Sequence, residues 1–156
     1  MDAKILNLYL DTSVFGGYHD IEFEEETKVL FEKIRLGQFI IMYSDITESE
    51  LSMAPKKVRE LLADLPDHLK VKVELTEECV NLADAYLSEN VVGKTSRTDC
   101  FHIAMSTINN ADILVSWNFK HIVNVIRIRG YNAVNLKFGY QQIDIRSPKE
   151  IIYNEN

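Results

Sequence analysis

The sequence predicts an α/β fold, a three-layer α/β/α sandwich with a mainly parallel central sheet. Short apolar segments typical of strands alternate with amphipathic segments typical of helices throughout the first 117 residues. The first strand is almost continuously apolar, as expected of a strand covered on both faces. The chain has 156 residues, of which 46% are hydrophobic and 26% charged, so we expect one globular domain over residues 1–156.

The first 65 residues supply two of the strands and three of the helices. Residues 5–10 form the first apolar strand, and residues 39–43 the second. Between them, a helix over 23–36 begins with three acidic residues, which suit the positive end of the helix dipole. A helix beginning at 45 should end near 54 because a proline follows, and that proline opens a further helix over 56–65.

The rest of the chain continues the alternation of strands and helices. Residues 71–75 alternate apolar and polar side chains, as in a strand that is half buried or at an edge, and 142–145 also predict an edge strand. The other predicted elements are a strand over 112–117 and helices beginning at residues 76, 96 and 147.

Charge and composition exclude several classes of protein. The net charge of −7 argues against binding nucleic acid through bulk positive charge. No apolar run approaches the roughly 18 residues of a membrane span. The first strand begins too close to Met1 for a signal peptide, so we expect a cytoplasmic protein without membrane attachment. Cys79 and Cys100 lie in helical patterns and are expected to be buried, reduced thiols.

Polar side chains from four segments are predicted to converge. Asp11 follows the first strand, and Ser116 and Asn118 lie at the end of the fourth. Ligands of open parallel sheets bind beyond the carboxyl ends of the strands, so these residues share a crevice if the two strands are neighbours. Glu50, in the helix after the second strand, and Asp99, in the helix before the fourth, can reach the same place.

Several carboxylates in one crevice repel each other and are costly to bury without a cation. Hard oxygen donors suit Mg²⁺ or Mn²⁺. Such an ion lowers the pKa of a bound water and neutralises charge on a phosphodiester. This chemistry needs no side-chain nucleophile, and the sequence offers no convincing one.

Four segments together resemble the PIN domain in order and spacing. They are LDTS at 10–13, ESEL at 48–51, RTDCFHIA at 97–104 and LVSWNF at 114–119, and the resemblance covers roughly residues 5–146. It implies a metal-dependent ribonuclease with an α/β/α sandwich. Many members of this family are VapC-type toxins of toxin–antitoxin pairs, and membership suggests a homodimer.

The resemblance also implies roles for individual residues. Asp11, Glu50 and Asp99 match the three acids that hold the metal, and Ser13 matches the hydroxyl position beside the first acid. Asn118 stands where many members have a fourth acid, and it brings an amide oxygen without charge. The predicted catalytic set is therefore these five residues, with the three acids as ligands of Mg²⁺ or Mn²⁺.

Structural interpretations compete with these assignments. Asp11 can end a strand and bond to its own turn, and Asp99 can cap a helix. Glu48 competes with Glu50, and the resemblance alone selects Glu50. His102 lies three residues after Asp99 and can touch the site, although the pattern favours an ordinary helix histidine.

Basic and aromatic residues flank the predicted crevice. Lys94, Arg97 and Lys120 can contact RNA phosphates, although surface charges are usually only solvated. Trp117 can stack on a base, but a large aromatic side chain at a strand end is more often packed.

Three functions are compatible with the sequence. The first is a metal-dependent endoribonuclease acting on RNA, with an antitoxin protein as a possible partner. The second is a non-catalytic PIN-like module that binds RNA or protein, suggested by Asn118 and the acidic net charge. The third, a phosphotransfer enzyme with Asp11 as nucleophile, is disfavoured because its usual Asp-x-Asp signature has Ser13 in the second position.

Overall fold

The computed structural model describes residues 4–153, so the predicted absence of a signal peptide concerns residues outside this range. Five strands and eight α-helices alternate along the described chain. The strands are β1 Leu6–Leu10, β2 Phe39–Ser44, β3 Lys70–Val73, β4 Ile113–Val115 and β5 Asp144–Arg146. The helices are α1 Thr12–Gly17, α2 Glu24–Arg35, α3 Asp45–Leu51, α4 Lys56–Ala63, α5 Glu77–Ser88, α6 Arg97–Ile108, α7 Val125–Lys137 and α8 Pro148–Ile152.

The five strands form one sheet in the order β3-β2-β1-β4-β5, and all four pairings are parallel. In the register of the central strand, Leu8 lies between Ile41 of β2 and Ile113 of β4. The chain winds outward from β1 to β3 and then returns to the other side of β1 as β4. The strand order therefore reverses between β1 and β4, and the predicted parallel sheet is confirmed, with β5 at its edge.

Alternate side chains of β1 enter two separate apolar layers. Leu8 and Leu10 pack with apolar residues of α1, α2, α4 and α8 on one face of the sheet. Tyr9 packs with residues of α5, α6 and α7 on the other face. All three side chains are fully buried, and the predicted three-layer sandwich is confirmed.

Helix α3 begins at a side-chain cap directly after β2. Ser44 Oγ accepts a hydrogen bond from the Thr47 backbone N–H, and Thr47 Oγ1 accepts one from the Ser44 backbone N–H. This reciprocal pair satisfies donors that a helix end otherwise leaves unpaired. It also fixes the direction in which α3 leaves the sheet, and thereby the place of Glu50.

Two helices, α1 and α7, were absent from the sequence prediction. Helix α1 ends in two glycines, which lower helix propensity. A Cβ atom on Gly17 would lie 2.7 Å from Nε1 of Trp117, so tertiary packing requires glycine there. In α7 the apolar periodicity is weak, but Asn124 accepts hydrogen bonds from the backbone of Ile126 and Arg127, a cap that the sequence could have indicated.

No helix within residues 4–153 combines the length and the apolar character needed to cross a membrane. Cys79 and Cys100 are both buried with free thiols, as predicted. Burial raises the pKa of the Cys100 thiol to about 12, so this group remains protonated and unreactive.

Candidate active site

The carboxyl ends of β1 and β4 meet at the reversal of strand order, and the predicted polar residues gather there. Asp11 follows β1, and Ser116 follows β4. Helix α3 contributes Glu50, and the first turns of α6 contribute Asp99 and His102. The crevice therefore draws side chains from four segments that are far apart in sequence.

Asp11 is only 5% exposed, and one of its carboxylate oxygens is doubly hydrogen-bonded. Oδ2 accepts from Ser13 Oγ at 2.7 Å and from Ser116 Oγ at 2.8 Å. Ser13 Oγ in turn accepts from the Trp117 backbone N–H at 3.0 Å. Although Asp11 is the N-cap residue of α1, its side chain does not cap a backbone N–H of that helix, so a bond from the Asp11 side chain to the backbone of its turn is not observed.

Glu50 is bound through a single oxygen as well. Oε1 accepts from Thr12 Oγ1 at 2.7 Å and lies 2.7 Å from His102 Nε2. Partial burial opposes ionisation of Glu50, but the hydrogen bond and charge of His102 and the bond from Thr12 outweigh it and lower the pKa. Glu48 instead forms an ion pair with Lys72 at 2.6 Å on the surface.

Asp99 is the carboxyl group whose ionisation the site most disfavours. Burial, followed by repulsion from Asp11, raises its pKa from the ordinary value of 3.8 to about 6. Its nearest hydrogen-bond donor is Nδ2 of Asn118, at 3.5 Å from Oδ2. No side-chain cap closes the beginning of α6 within the described chain, so Asp99 is not observed as a helix cap.

Asn118 presents its amide nitrogen, rather than its amide oxygen, to the acids. Its Oδ1 accepts from the backbone N–H groups of Lys120 at 3.2 Å and His121 at 3.0 Å. Because two backbone donors bind the oxygen, the orientation of the amide is determined. Asn118 thus closes the turn after β4 and directs a donor at Asp99.

His102 lies inside the site, which the sequence pattern did not favour. It is 1% exposed, with Nε2 at 2.7 Å from Glu50 Oε1 and 3.7 Å from Asp11 Oδ1. Burial works against its protonation, but the Glu50 hydrogen bond and the surrounding carboxylates raise its pKa. The sequence contained one signal for this position. His102 lies three residues after Asp99, and this spacing places the two side chains on one face of a helix.

The basic residues predicted to flank the crevice differ in their partners. Arg97 pairs with Asp84 at 3.2 Å and lies over the Phe101 ring. Lys94 and Lys120 are exposed, and neither forms an ion pair with any residue in the 4–153 range. Both lysines therefore remain available to a phosphate.

Trp117 is packed rather than available for stacking on a base. It is 7% exposed, lies parallel to the Phe23 ring at 4.3 Å between centroids, and donates from Nε1 to Thr27 Oγ1. Because the Trp117 ring is packed in the core, it lies against Gly17 and leaves no room there for a side chain.

The donor set of the site fits a hard divalent cation. Asp11 Oδ1, Glu50 Oε2 and Asp99 Oδ1 accept no hydrogen bond from the described residues, while the other oxygen of each carboxylate has a donor. Such outer contacts are typical of groups that orient metal ligands. The fit is one of donor chemistry, because as placed here no group of three or more acidic, histidine or cysteine side chains between residues 4 and 153 could hold a metal ion.

Comparisons with known proteins bear on the fold. No protein-family profile matches the sequence. No curated protein matches it either. Among solved structures, a chain of VapBC2 from Rickettsia felis, bound to a DNA fragment from their promoter, is similar with a TM-score of 0.56. The fold is PIN-like. The likeness covers 91% of this chain and 98% of the other, at 15% identity, and it supports the fold alone.

Proposed function

We propose that this chain is a metal-dependent endoribonuclease and the toxin of a toxin–antitoxin pair. The observation that carries the proposal is the set of Asp11, Glu50 and Asp99 at the reversal of strand order. Burial and like charge make this set unfavourable when all three are ionised, as the raised pKa of Asp99 indicates. A bound cation would relieve that repulsion, and binding sites of parallel sheets occupy this position.

In this proposal Asp11, Glu50 and Asp99 hold Mg²⁺ or Mn²⁺, which when bound activates water and neutralises phosphodiester charge. Ser13 acts by holding Asp11 through the 2.7 Å hydrogen bond. Asn118 donates toward Asp99, so its contribution is orientation rather than negative charge. Each of the three acids keeps one carboxylate oxygen without a donor among the described residues, and these oxygens would hold the cation.

The RNA backbone is expected to pass the exposed lysines. Lys94 lies just before α6, which carries Asp99, and Lys120 lies in the turn after β4, close in sequence to Asn118, so the two lysines belong to different segments that each contribute to the site. Both offer an ammonium group that has no ion-pair partner among residues 4–153, whereas Arg97 would first have to leave Asp84. We therefore assign phosphate contacts chiefly to the two lysines, with Arg97 secondary.

Partners and location follow from the same proposal. The similar solved chain belongs to VapBC2, which supports an antitoxin protein as partner here. The first turn of α7 exposes Val125 and Ile126 at 70% and 72%, the kind of apolar surface that a partner protein covers. A cytoplasmic homodimer bound by an antitoxin is the assembly we propose.

The test is cleavage of RNA by purified protein with Mn²⁺ or Mg²⁺. Asp11→Asn and Asp99→Asn each remove one charge and nearly preserve shape, and each should reduce cleavage at least a hundredfold, since both remove a proposed ligand. Asp64→Asn, at the exposed end of α4, is the matched control and should cleave as the unmodified protein does. Cleavage that survives both site substitutions would overturn the proposal.

A non-catalytic module that binds RNA or protein is the second candidate. The orientation of Asn118 favours it, because the fourth position supplies a donor instead of a carboxylate. Calorimetry with Mn²⁺ separates the two functions. RNA binding without any heat of Mn²⁺ binding at millimolar concentration would support the module over the nuclease.

A further inference from the structure

A chain of hydrogen bonds runs from the buried core to the candidate site. Tyr9 is fully buried, and its hydroxyl lies 2.9 Å from Ser44 Oγ and 2.6 Å from His102 Nδ1. The opposite nitrogen of His102 lies 2.7 Å from Glu50 Oε1. The hydrogen bonds link Tyr9 of β1, Ser44 at the cap of α3, His102 of α6 and Glu50 near the end of α3. Residues that are far apart in the sequence therefore support the Glu50 carboxylate.

The direction of the hydrogen bond to Glu50 follows from the groups involved. The carboxylate of Glu50 can only accept, so Nε2 of His102 carries a proton and donates to Oε1. Burial raises the pKa of Tyr9 far above its ordinary value, so the phenol keeps its proton. Its hydroxyl lies within hydrogen-bond distance of both Nδ1 of His102 and Oγ of Ser44 and holds the ring from behind.

Glu50 would otherwise be poorly fixed. Its side chain is 38% exposed, and a free glutamate at a helix surface populates several rotamers. His102 and Thr12 both donate to Oε1, so one oxygen is saturated while Oε2 stays open. Asp11 shows the same division, with both serine hydroxyls on Oδ2.

We propose that His102 is the positioning residue of the candidate metal site. Aligned from the core by Tyr9, it donates to Oε1 of Glu50 and thereby leaves Oε2 free to bind a cation. This inference rests on the proposed function, because it assigns a task within the same site. The proposal predicts that the affinity for a cation depends on Nε2 of His102, which faces Glu50, and on the Tyr9 hydroxyl, which lies behind the His102 ring.

Two uncharged substitutions separate this task from simple packing. The amide nitrogen of glutamine can occupy the place of Nε2, whereas that of asparagine reaches only the place of Nδ1. His102→Gln should therefore keep the donor to Glu50, and His102→Asn should lose it. Binding of Mn²⁺ measured by calorimetry is the readout, with RNA cleavage measured at increasing Mn²⁺ concentration.

We expect His102→Gln to bind Mn²⁺ within about threefold of the unmodified protein, and His102→Asn to bind it roughly 10–100-fold more weakly, as is usual when an outer contact to a metal ligand is lost. Saturating Mn²⁺ should restore much of the cleavage by His102→Asn. Equal losses of affinity in both variants would overturn the inference, because the ring would then act through its volume.

A tyrosine pair provides a further test that does not require substitution at position 102. Tyr9→Phe removes the hydroxyl behind His102, and Tyr86→Phe removes an equally buried hydroxyl that donates to Asn135 away from the acids. Both variants should lose stability, but only Tyr9→Phe should weaken Mn²⁺ binding, by about tenfold at most. If His102→Asn does not fold, this pair decides the inference.

Failure of the inference and failure of the proposed function give different results. If the unmodified protein binds Mn²⁺, Asp11→Asn does not, and neither His102→Asn nor Tyr9→Phe changes the affinity, then only the role of His102 is overturned. If the unmodified protein binds no Mn²⁺ at all, the nuclease proposal is overturned and this inference with it.

Discussion

Replacing Asp99 by asparagine should stabilise the metal-free protein at neutral pH. The folded state holds the Asp99 carboxylate half-buried beside Asp11, and the pKa of Asp99 rises from 3.8 to about 6 as a result. At neutral pH the group must nevertheless ionise, and this costs folding free energy. Asparagine has nearly the same shape without the charge, so it removes that cost.

The size of the effect follows from the two pKa values. Each tenfold change in the ionisation constant corresponds to about 1.4 kcal/mol, so the full difference between 3.8 and about 6 amounts to about 3 kcal/mol. Solvent screens a carboxyl group that is only partly buried, and we therefore expect about 1–2 kcal/mol. For a chain of this length that corresponds to a rise of about 3–6 °C in Tm.

The pH dependence has a definite sign. Between pH 3.8 and about 6 the folded state binds more protons at Asp99 than the unfolded state does, so stability falls as pH rises through this window. The cost is fully present above about pH 6 and absent below about pH 4. The difference in Tm between Asp99→Asn and the unmodified protein should therefore be large near pH 7.5 and shrink toward pH 4.

Thermal unfolding in the presence of a chelator, followed by circular dichroism at several pH values, measures this difference. Asp84→Asn is the control, because it removes an exposed carboxylate paired with Arg97 and should lower Tm slightly or not at all. A destabilised Asp99→Asn protein, or a gain that stays constant from pH 4.5 to 7.5, would refute the electrostatic reasoning.

Three further predictions use the same unfolding measurements. Millimolar Mn²⁺ should raise the Tm of the unmodified protein by several degrees and leave that of Asp11→Asn unchanged, because binding to the folded state alone stabilises it. Gly17→Ala should lose about 1–3 kcal/mol in urea unfolding, since its Cβ would lie 2.7 Å from Trp117 Nε1, whereas Gly16→Ala, in open space, should gain about 0.5–1 kcal/mol. Asn124→Ala should lose about 1 kcal/mol by removing the cap of α7, and an unchanged urea midpoint would contradict that role.

The sequence by itself determined the fold class and the order of most elements. Apolar strands that alternate with amphipathic helices leave few arrangements other than a covered parallel sheet, and the observed order places Asp11 and Ser116 side by side as expected. Local signals were sufficient where they are strong, as at the Thr76 side chain that caps α5 and the capping box that begins α8. The apolar periodicity was too weak to predict α1 and α7, each of which contains glycine, a poor helix former, although Asn124 is a recognisable cap for α7.

Only the tertiary structure decided which groups meet in the site. Periodicity indicates which face of an element is buried, but it does not indicate what lies across from that face. Glu50 lies at the site, where it meets Thr12 and His102, whereas Glu48 pairs with Lys72 of the neighbouring strand on the surface. His102 reaches Glu50 because a buried Tyr9 lies behind it, and Asn118 directs its nitrogen inward because backbone groups of its own turn bind its oxygen. The partners of Glu50 and His102 are distant in the chain, and local sequence carries no direct record of them.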